Sequence, residues 1–538
     1  MHRCRVLVIG TGFSGLGTAI QLRKRGRDDF ILLEKAREVG GTWRENTYPG
    51  CACDVPSHLY SFSFEPNPDW TRMWSGQEEI FDYLRGLADK YDLRRNIHFG
   101  RTMTGGHWDA ERQRWHVHTE SGDEYVAQFV VSGIGALHIP NVPDLPGADT
   151  FEGTEFHSAQ WNHDYDLRGK KVAVIGTGAS AVQFVPEIVG DVAELQLYQR
   201  TPPWVIPGLN FGIPPEARRL LGRVPLARRM VRAAVYWTYE SLALGFNGHS
   251  RLMRPIESAA RKNLNRTVTD PELRRKLTPS YRIGCKRILG SDVYYPALIS
   301  SKTVVITEGI AEVRPHSIVA GDGAERAVDA IIYATGFHVT DGFDNVDLTG
   351  VEGRRLADEW EEHGIRTHLG ITVAGYPNAF VLFGPNTGLG HNSVVFMIES
   401  QIRYALELMD LVDRRGSARR QPHYLAGFDR ALLATDAVGR TGGLRVHTRL
   451  NGGGVTPSTR WLPQRSIPVI RAVAVPSGPV ICSSVPADRS ASAPRTSVRV
   501  RTRPCQTYRP LMGSKFPANW TCTVTAGRSP TTTSAGPR

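Results

Sequence analysis

The feature that most constrains this chain is a glycine-rich turn that occurs twice, each time between a buried strand and a helix. At 172–175 the run V-A-V-I is short and β-branched, the pattern of a buried parallel strand. Gly176, Thr177, Gly178, Ser180 and Ala181 follow, and an apolar-periodic helix begins. Near the start of the chain the run V-L-V-I at 6–9 is followed by Gly10, Gly12, Ser14 and Gly15 and a helical stretch at 16–25. In this setting the glycines let backbone approach a pyrophosphate, and the helix start offers unpaired N–H groups and a positive dipole end. Ala181 stands where a third glycine is usual, at a position that asks only for close packing. One such loop is a weak signal. Two, each in its strand–turn–helix context, predict an α/β chain with two Rossmann-like dinucleotide-binding domains.

The residue 24 positions beyond each first glycine separates the two sites. It is Glu34 after the first loop and Arg200, followed by Thr201, after the second. A carboxylate there accepts hydrogen bonds from a ribose 2′-OH and repels a 2′-phosphate, whereas a guanidinium does the reverse. The first site therefore suits an unphosphorylated adenosine, as in FAD or NAD, and the second suits NADP. Two different nucleotides in one chain imply electron transfer between them.

The formal net charge of +12 invites a nucleic-acid reading that its distribution excludes. Residues 439–538 carry 15 Lys+Arg against one acid, Asp488, a net of +14, so the first 438 residues sum to −2. The folded part is near neutral, and no nucleic-acid partner is expected. Seven scattered cysteines, no spanning apolar run and a first strand almost at Met1 predict a cytoplasmic chain without a leader peptide or transmembrane segment. No metal site is expected; Cys51 and Cys53 have neither knuckle nor Cys-x-x-Cys spacing. Further elements read as a helix at 77–90, strands at 108–119 and 124–131, an arginine-rich helical segment at 211–280, most clearly at 216–244, a strand from 330, and a helix at about 392–411.

Residues 151–164 read F-E-G-T-E-F-H-S-A-Q-W-N-H-D. Phe151, Gly153, His157 and Trp161 resemble the fingerprint of class B flavoprotein monooxygenases, most closely the Baeyer–Villiger branch, with Asn162 departing at its last place. The stretch Gly40, Gly41, Trp43, Tyr48, Pro49, Gly50 and Asp54 is similar to the family's second signature, and the likeness runs from residue 6 to about 438. It implies FAD and NADPH as cofactors and a ketone, or a sulfur or nitrogen compound, as the substrate oxidised with O2. The family's cycle forms a C4a-peroxyflavin and inserts one oxygen atom into a ketone to give an ester or lactone. By the same resemblance Arg287 is the catalytic arginine and Asp54 its partner. Gly10, Gly12, Ser14, Gly15, Glu34, Gly41, Thr42, Trp43, Asp54, Tyr60, Met103 and Val394 would hold FAD. Gly176, Thr177, Gly178, Ser180, Ala181, Gln183, Arg200, Thr201, Lys286 and Arg287 would hold NADP.

The domain organisation expected is an FAD-binding domain at 1–139 and 340–438, an NADP-binding domain at 140–206 and 288–339, and a helical insertion at 207–287. The insertion's basic amphipathic character also suits contact with a membrane surface, although a helix pair capping a domain, an insertion inside the NADP-binding domain, is the preferred reading. From 439 to 538 the composition is rich in Arg, Ser, Thr, Pro and Val, like a GC-rich gene read out of frame or a disordered tail. That segment is expected not to pack as the family's does, which keeps open a nucleotide-binding but uncoupled or inactive protein. A two-dinucleotide disulfide reductase would need Cys-x4-Cys near the first loop, which this chain lacks.

Overall fold

The computed structural model describes residues 1–246, 250–339 and 346–414. The expectation for 439–538 lies outside the described residues, as do 340–345 and 415–438 of the expected FAD-binding domain. Two sheets organise the rest. The first is eight-stranded, in the order Asp347–Thr349, Met103–Asp109, Arg114–Thr119, Glu124–Ser132, His2–Ile9, Phe30–Glu34, Ile97–Phe99, with Ala379–Val381 also on Glu124–Ser132. The second has five parallel strands, in the order Thr303–Ile306, Glu194–Tyr198, Lys171–Ile175, Ala330–Tyr333, Thr154–His157. Each glycine loop leaves a central strand of its sheet, His2–Ile9 or Lys171–Ile175, at the carboxyl end, where open α/β sheets bind ligands. The predicted class, two Rossmann-like units with a helical insertion, is the one observed.

The inner strands are apolar throughout because both faces are covered. Val6, Leu7, Val8 and Leu32 are buried, as are Val172, Ala173 and Val174 in the second sheet. The helix Phe13–Lys24 packs so closely on Val394–Arg414 that a Cβ at Gly17 would stand 2.9 Å from Ile402 and 2.8 Å from Phe62. Asp410 and Asp413 then pair with Arg25, Arg27 and Arg5 at the far end of the long helix.

One sequence expectation is corrected. The segment 108–119 is not one strand but the turn of a hairpin between Met103–Asp109 and Arg114–Thr119. The Asp109 carboxylate accepts from the Glu111 and Arg112 amides, and Gln113 takes φ +53°, so a polar side chain closes a turn that apolar periodicity does not register. The helical stretch expected around 216–244 is present as Pro215–Arg223, Pro225–Ser241 and Ala243–Phe246. Val224 is extended because the ring of Pro225 disfavours helical backbone before it, and Pro225 then starts the next helix.

Candidate active site

A cavity of about 1390 Å³ runs between the carboxyl ends of the two sheets. Of the residues assigned to FAD, Gly10, Gly12, Ser14, Glu34, Gly41, Thr42, Trp43, Asp54, Tyr60, Met103 and Val394 all line it; Gly178, Ser180, Gln183, Lys286 and Arg287 line it from the NADP set. Gly15 and Ala181 are buried behind their loops instead. A Cβ at Gly15 would lie 1.8 Å from the Gly10 carbonyl oxygen, and Ala181 is closed off completely. Their contribution is to let each helix sit against its strand rather than to line the cavity. Gly176, Thr177, Arg200 and Thr201 also lie outside the lining: the Thr177 hydroxyl donates to the Thr201 carbonyl at 2.9 Å, and Arg200 is exposed at the strand end.

The turns themselves fit nucleotides. Gly10 and Gly176 adopt φ +90° and +110°, and a side chain at either would strike the crossing strand's exit at Gly133 or Ala334. Neither following helix has a side-chain N-cap or an acid in its first turn, which leaves the first backbone N–H groups for an anion. Glu34 is buried and already engaged, with Oε2 accepting from the Thr11 amide at 3.0 Å and from its hydroxyl, and Oε1 from the Ala36 amide and Arg44. A ribose would share this carboxylate with those donors. Burial, then the nearby charge of Arg200, lowers the Lys286 ammonium below its usual range. Among the described residues neither cation has a carboxylate partner, the arrangement expected of a site for a doubly charged anion.

Arg287 comes from the irregular stretch before the short strand Leu289–Gly290, whose exit is fixed by Leu289 N–H donating to the Trp204 carbonyl at 3.0 Å. Its Nε and Nη2 donate to Oδ2 and Oδ1 of Asp54, both at 2.5 Å, a bidentate pair. Burial opposes the guanidinium's charge, but attraction and hydrogen bonding to Asp54 outweigh it and hold the group above its ordinary pKa. The arginine keeps 43% of its side chain open, on the cavity side. Tyr60, half-buried against the core, accepts a hydrogen bond from the Trp43 indole at 3.2 Å.

Gln183 has a role that spacing did not reveal. Its side chain accepts from the Tyr48 hydroxyl at 2.8 Å and donates to the Ala52 carbonyl at 2.9 Å. It therefore ties the second loop's helix to the segment that carries Asp54. Removing it strands the buried Tyr48 hydroxyl, which at ~1–3 kcal/mol is among the larger single-side-chain polar losses. Gln183→Ala is expected to lower the urea midpoint by a matching amount without changing the slope; an unchanged midpoint would show that Tyr48 finds another acceptor. The fingerprint residues Phe151, Gly153, His157 and Trp161 do not line the cavity. Gly153 packs under the Asp329 carbonyl, Trp161 sits edge-on to Phe156 and tilted against Phe184, and His157 meets the ring of cavity-lining Phe337 at 5.6 Å. Sequence reading missed the cavity residues Phe246 and Asn392. Asn392 is pinned by Glu240 of the insertion at 2.7 Å, a long-range pairing with no local signature.

Residues 7–216, which include both loops, match the pyridine nucleotide-disulphide oxidoreductase family model. The chain is 52% identical over 414 residues to a Baeyer-Villiger monooxygenase of Pseudomonas aeruginosa, covering 77% of this chain and 78% of that one. It is 49% identical to a Baeyer-Villiger monooxygenase of Streptomyces coelicolor, over 75% and 78% of the respective lengths. An oxidised steroid monooxygenase bound to NADP superposes with a TM-score of 0.70 at 31% identity, covering 79% of this chain and 89% of that one. The extent of identity with named relatives, together with the paired loops and the Asp54–Arg287 site, makes this chain a member of the Baeyer–Villiger monooxygenase family.

Proposed function

We propose that the chain consumes NADPH and O2 and, with FAD bound, inserts one oxygen atom into a ketone to give an ester or lactone, releasing the second as water. The observation that carries this reading is the bidentate Asp54–Arg287 pair on the wall of a cavity bordered by both nucleotide loops. We assign FAD to the side of Gly10, Gly12, Glu34, Thr42, Trp43, Met103 and Val394, and NADP to that of Gly178, Gln183, Arg200 and Lys286, in the expected domains 1–139 with 340–438 and 140–206 with 288–339. The flavin supplies hydride acceptance and oxygen activation when bound. The protein supplies the field. Arg287 presents a positive charge that does not deprotonate at any working pH, stabilising an anion formed in the cavity. Asp54 fixes the Nε–Nη2 edge of the guanidinium, so the remaining N–H donors, on Nη1 and the outer side of Nη2, are aimed rather than mobile. Met103, Val394 and Phe246 give apolar walls that exclude water.

A disulfide reductase would use a thiolate beside the flavin. Cys51 and Cys53 do reach the cavity, but burial pushes the Cys51 thiol up to about 11 and that of Cys53 well above its ordinary value. Both stay protonated at neutral pH and make poor nucleophiles. No described helix is long and apolar enough to cross a membrane, and we place the enzyme in the cytoplasm. The test is to incubate FAD-loaded protein with NADPH in air, offering ketones and thioethers in parallel. Ester or lactone that accounts for the NADPH used supports the reading; sulfoxide as the sole product would replace it with heteroatom oxidation.

A further inference from the structure

The helix Pro225–Ser241 exposes more large apolar side chains than a surface helix usually does. Its inner face already packs: Val235 and Tyr236 lie against the core, and Tyr236 meets Phe396. Arg232 donates to the carbonyls of His58 and Ser61 at 2.8 and 2.9 Å and stands 4.0 Å from Glu399, while Glu240 holds Asn392. Leu226, Met230 and Trp237 share the opposite face at helical spacing and are 65, 64 and 64% exposed, with Ala233 and Ala234 between them. Leu244 of Ala243–Phe246 continues the stripe and is 57% exposed, and Leu220 of Pro215–Arg223 flanks it. A solvated helix carries polar residues there.

We propose that this stripe docks on an anionic phospholipid surface, with the helices lying in the headgroup region. Charge chooses the occupant. Residues 207–287 contain 17 Lys+Arg and five Asp+Glu, and exposed Arg219, Arg223 and Arg229 border the apolar residues. Basic side chains beside Trp, Leu and Met on one face are what an anionic interface selects. The other candidate occupants carry the same sign. A second copy would bring another cationic insertion against this one, and residues 439–538 have a net charge of +14. The stripe also ends beside Phe246, which lines the cavity. An apolar substrate dissolved in lipid would then be delivered beside the cavity, a consequence that rests on the ketone reading while the docking itself does not.

The test is co-sedimentation of the full-length, FAD-loaded chain with vesicles of phosphatidylglycerol and phosphatidylcholine in equal parts, and with phosphatidylcholine alone. The wild type is expected to sediment with the anionic vesicles, less so as salt rises, and weakly with the neutral ones. Leu226→Glu with Trp237→Glu should reduce binding about tenfold or more, with FAD content and turnover of a water-soluble ketone unchanged, and Met230→Ser should show a smaller loss with the same controls. No binding by the wild type, equal binding to neutral vesicles, or undiminished binding by these variants would overturn the proposal, the last pointing to charge elsewhere in the chain. A wild-type dimer that light scattering shows to become monomeric in the double variant would overturn it too, making the stripe a subunit contact. Because binding is read without turnover, its failure would leave the oxygenase reading intact.

Discussion

Arg287→Ala is expected to remove ester formation while NADPH is still consumed. The guanidinium is the only side chain in the Asp54 pair that can face an anion in the cavity with a positive charge, and deleting such a partner typically slows a reaction ~10²–10³-fold. The loss should reach at least that here, because Asp54 is then left without its two donors and adds an uncompensated negative charge to the same wall. Nothing in the two glycine loops depends on Arg287, so nucleotide binding at Gly10 and Gly12 should persist. Lysine at 287 should recover little: it cannot grip both Asp54 oxygens, and burial that an arginine withstands draws a lysine toward neutrality. The measurement is ester formed per NADPH oxidised, with hydrogen peroxide counted alongside. An alanine variant that makes ester at the wild-type rate would show that the anion is stabilised elsewhere.

The parts of this molecule legible in the sequence are those enforced locally. Gly10 and Gly176 mark their turns because the φ values required exclude other residues, and the strands before them are apolar because both sheet faces are covered. The helix at 77–90 has the bounds its pattern predicts, Gln77–Lys90, with Ile80, Leu84, Leu87 and Ala88 on the buried side. Arg287 and Asp54 were named together only through family resemblance; 233 residues separate them, and no local pattern links them. Gln183 and Asn392 show the same limit. Each reads as an ordinary polar helix residue or helix start, and each makes its telling bond across more than 130 positions. A break was missed where a single side chain overrode periodicity, as Asp109 does at the hairpin. Gly15 and Ala181 show a different limit. The loop fingerprint mixes residues that touch a ligand with residues that let a helix pack, and only the packing distances separate the two.

Arg200→Ala is expected to cost NADPH far more than NADH. Arg200 stands exposed at the end of the strand Glu194–Tyr198, outside the cavity lining, and Lys286 is near enough for its charge to lower that ammonium's pKa. Two cations held this way repel each other, and a 2′-phosphate would relieve the repulsion while gaining charge-assisted bonds. NADH offers only a hydroxyl at that place. One such bond is worth roughly 1.5–3 kcal/mol, or about ten- to a hundredfold in affinity, and the NADPH KM should rise by that factor with the maximal rate little altered, since Arg200 lies away from Arg287's wall. NADH kinetics should stay within about twofold or improve slightly, because one of two like charges has gone. Lys286→Ala should show the same preference more weakly, lysine being a point charge without the guanidinium's fork. Raising salt should narrow the gap between the cofactors in the wild type more than in the Arg200 variant. Equal losses for NADPH and NADH would mean that Arg200 supports the loop, through the Thr201 carbonyl bonded to Thr177, and that the 2′-phosphate is read by other residues.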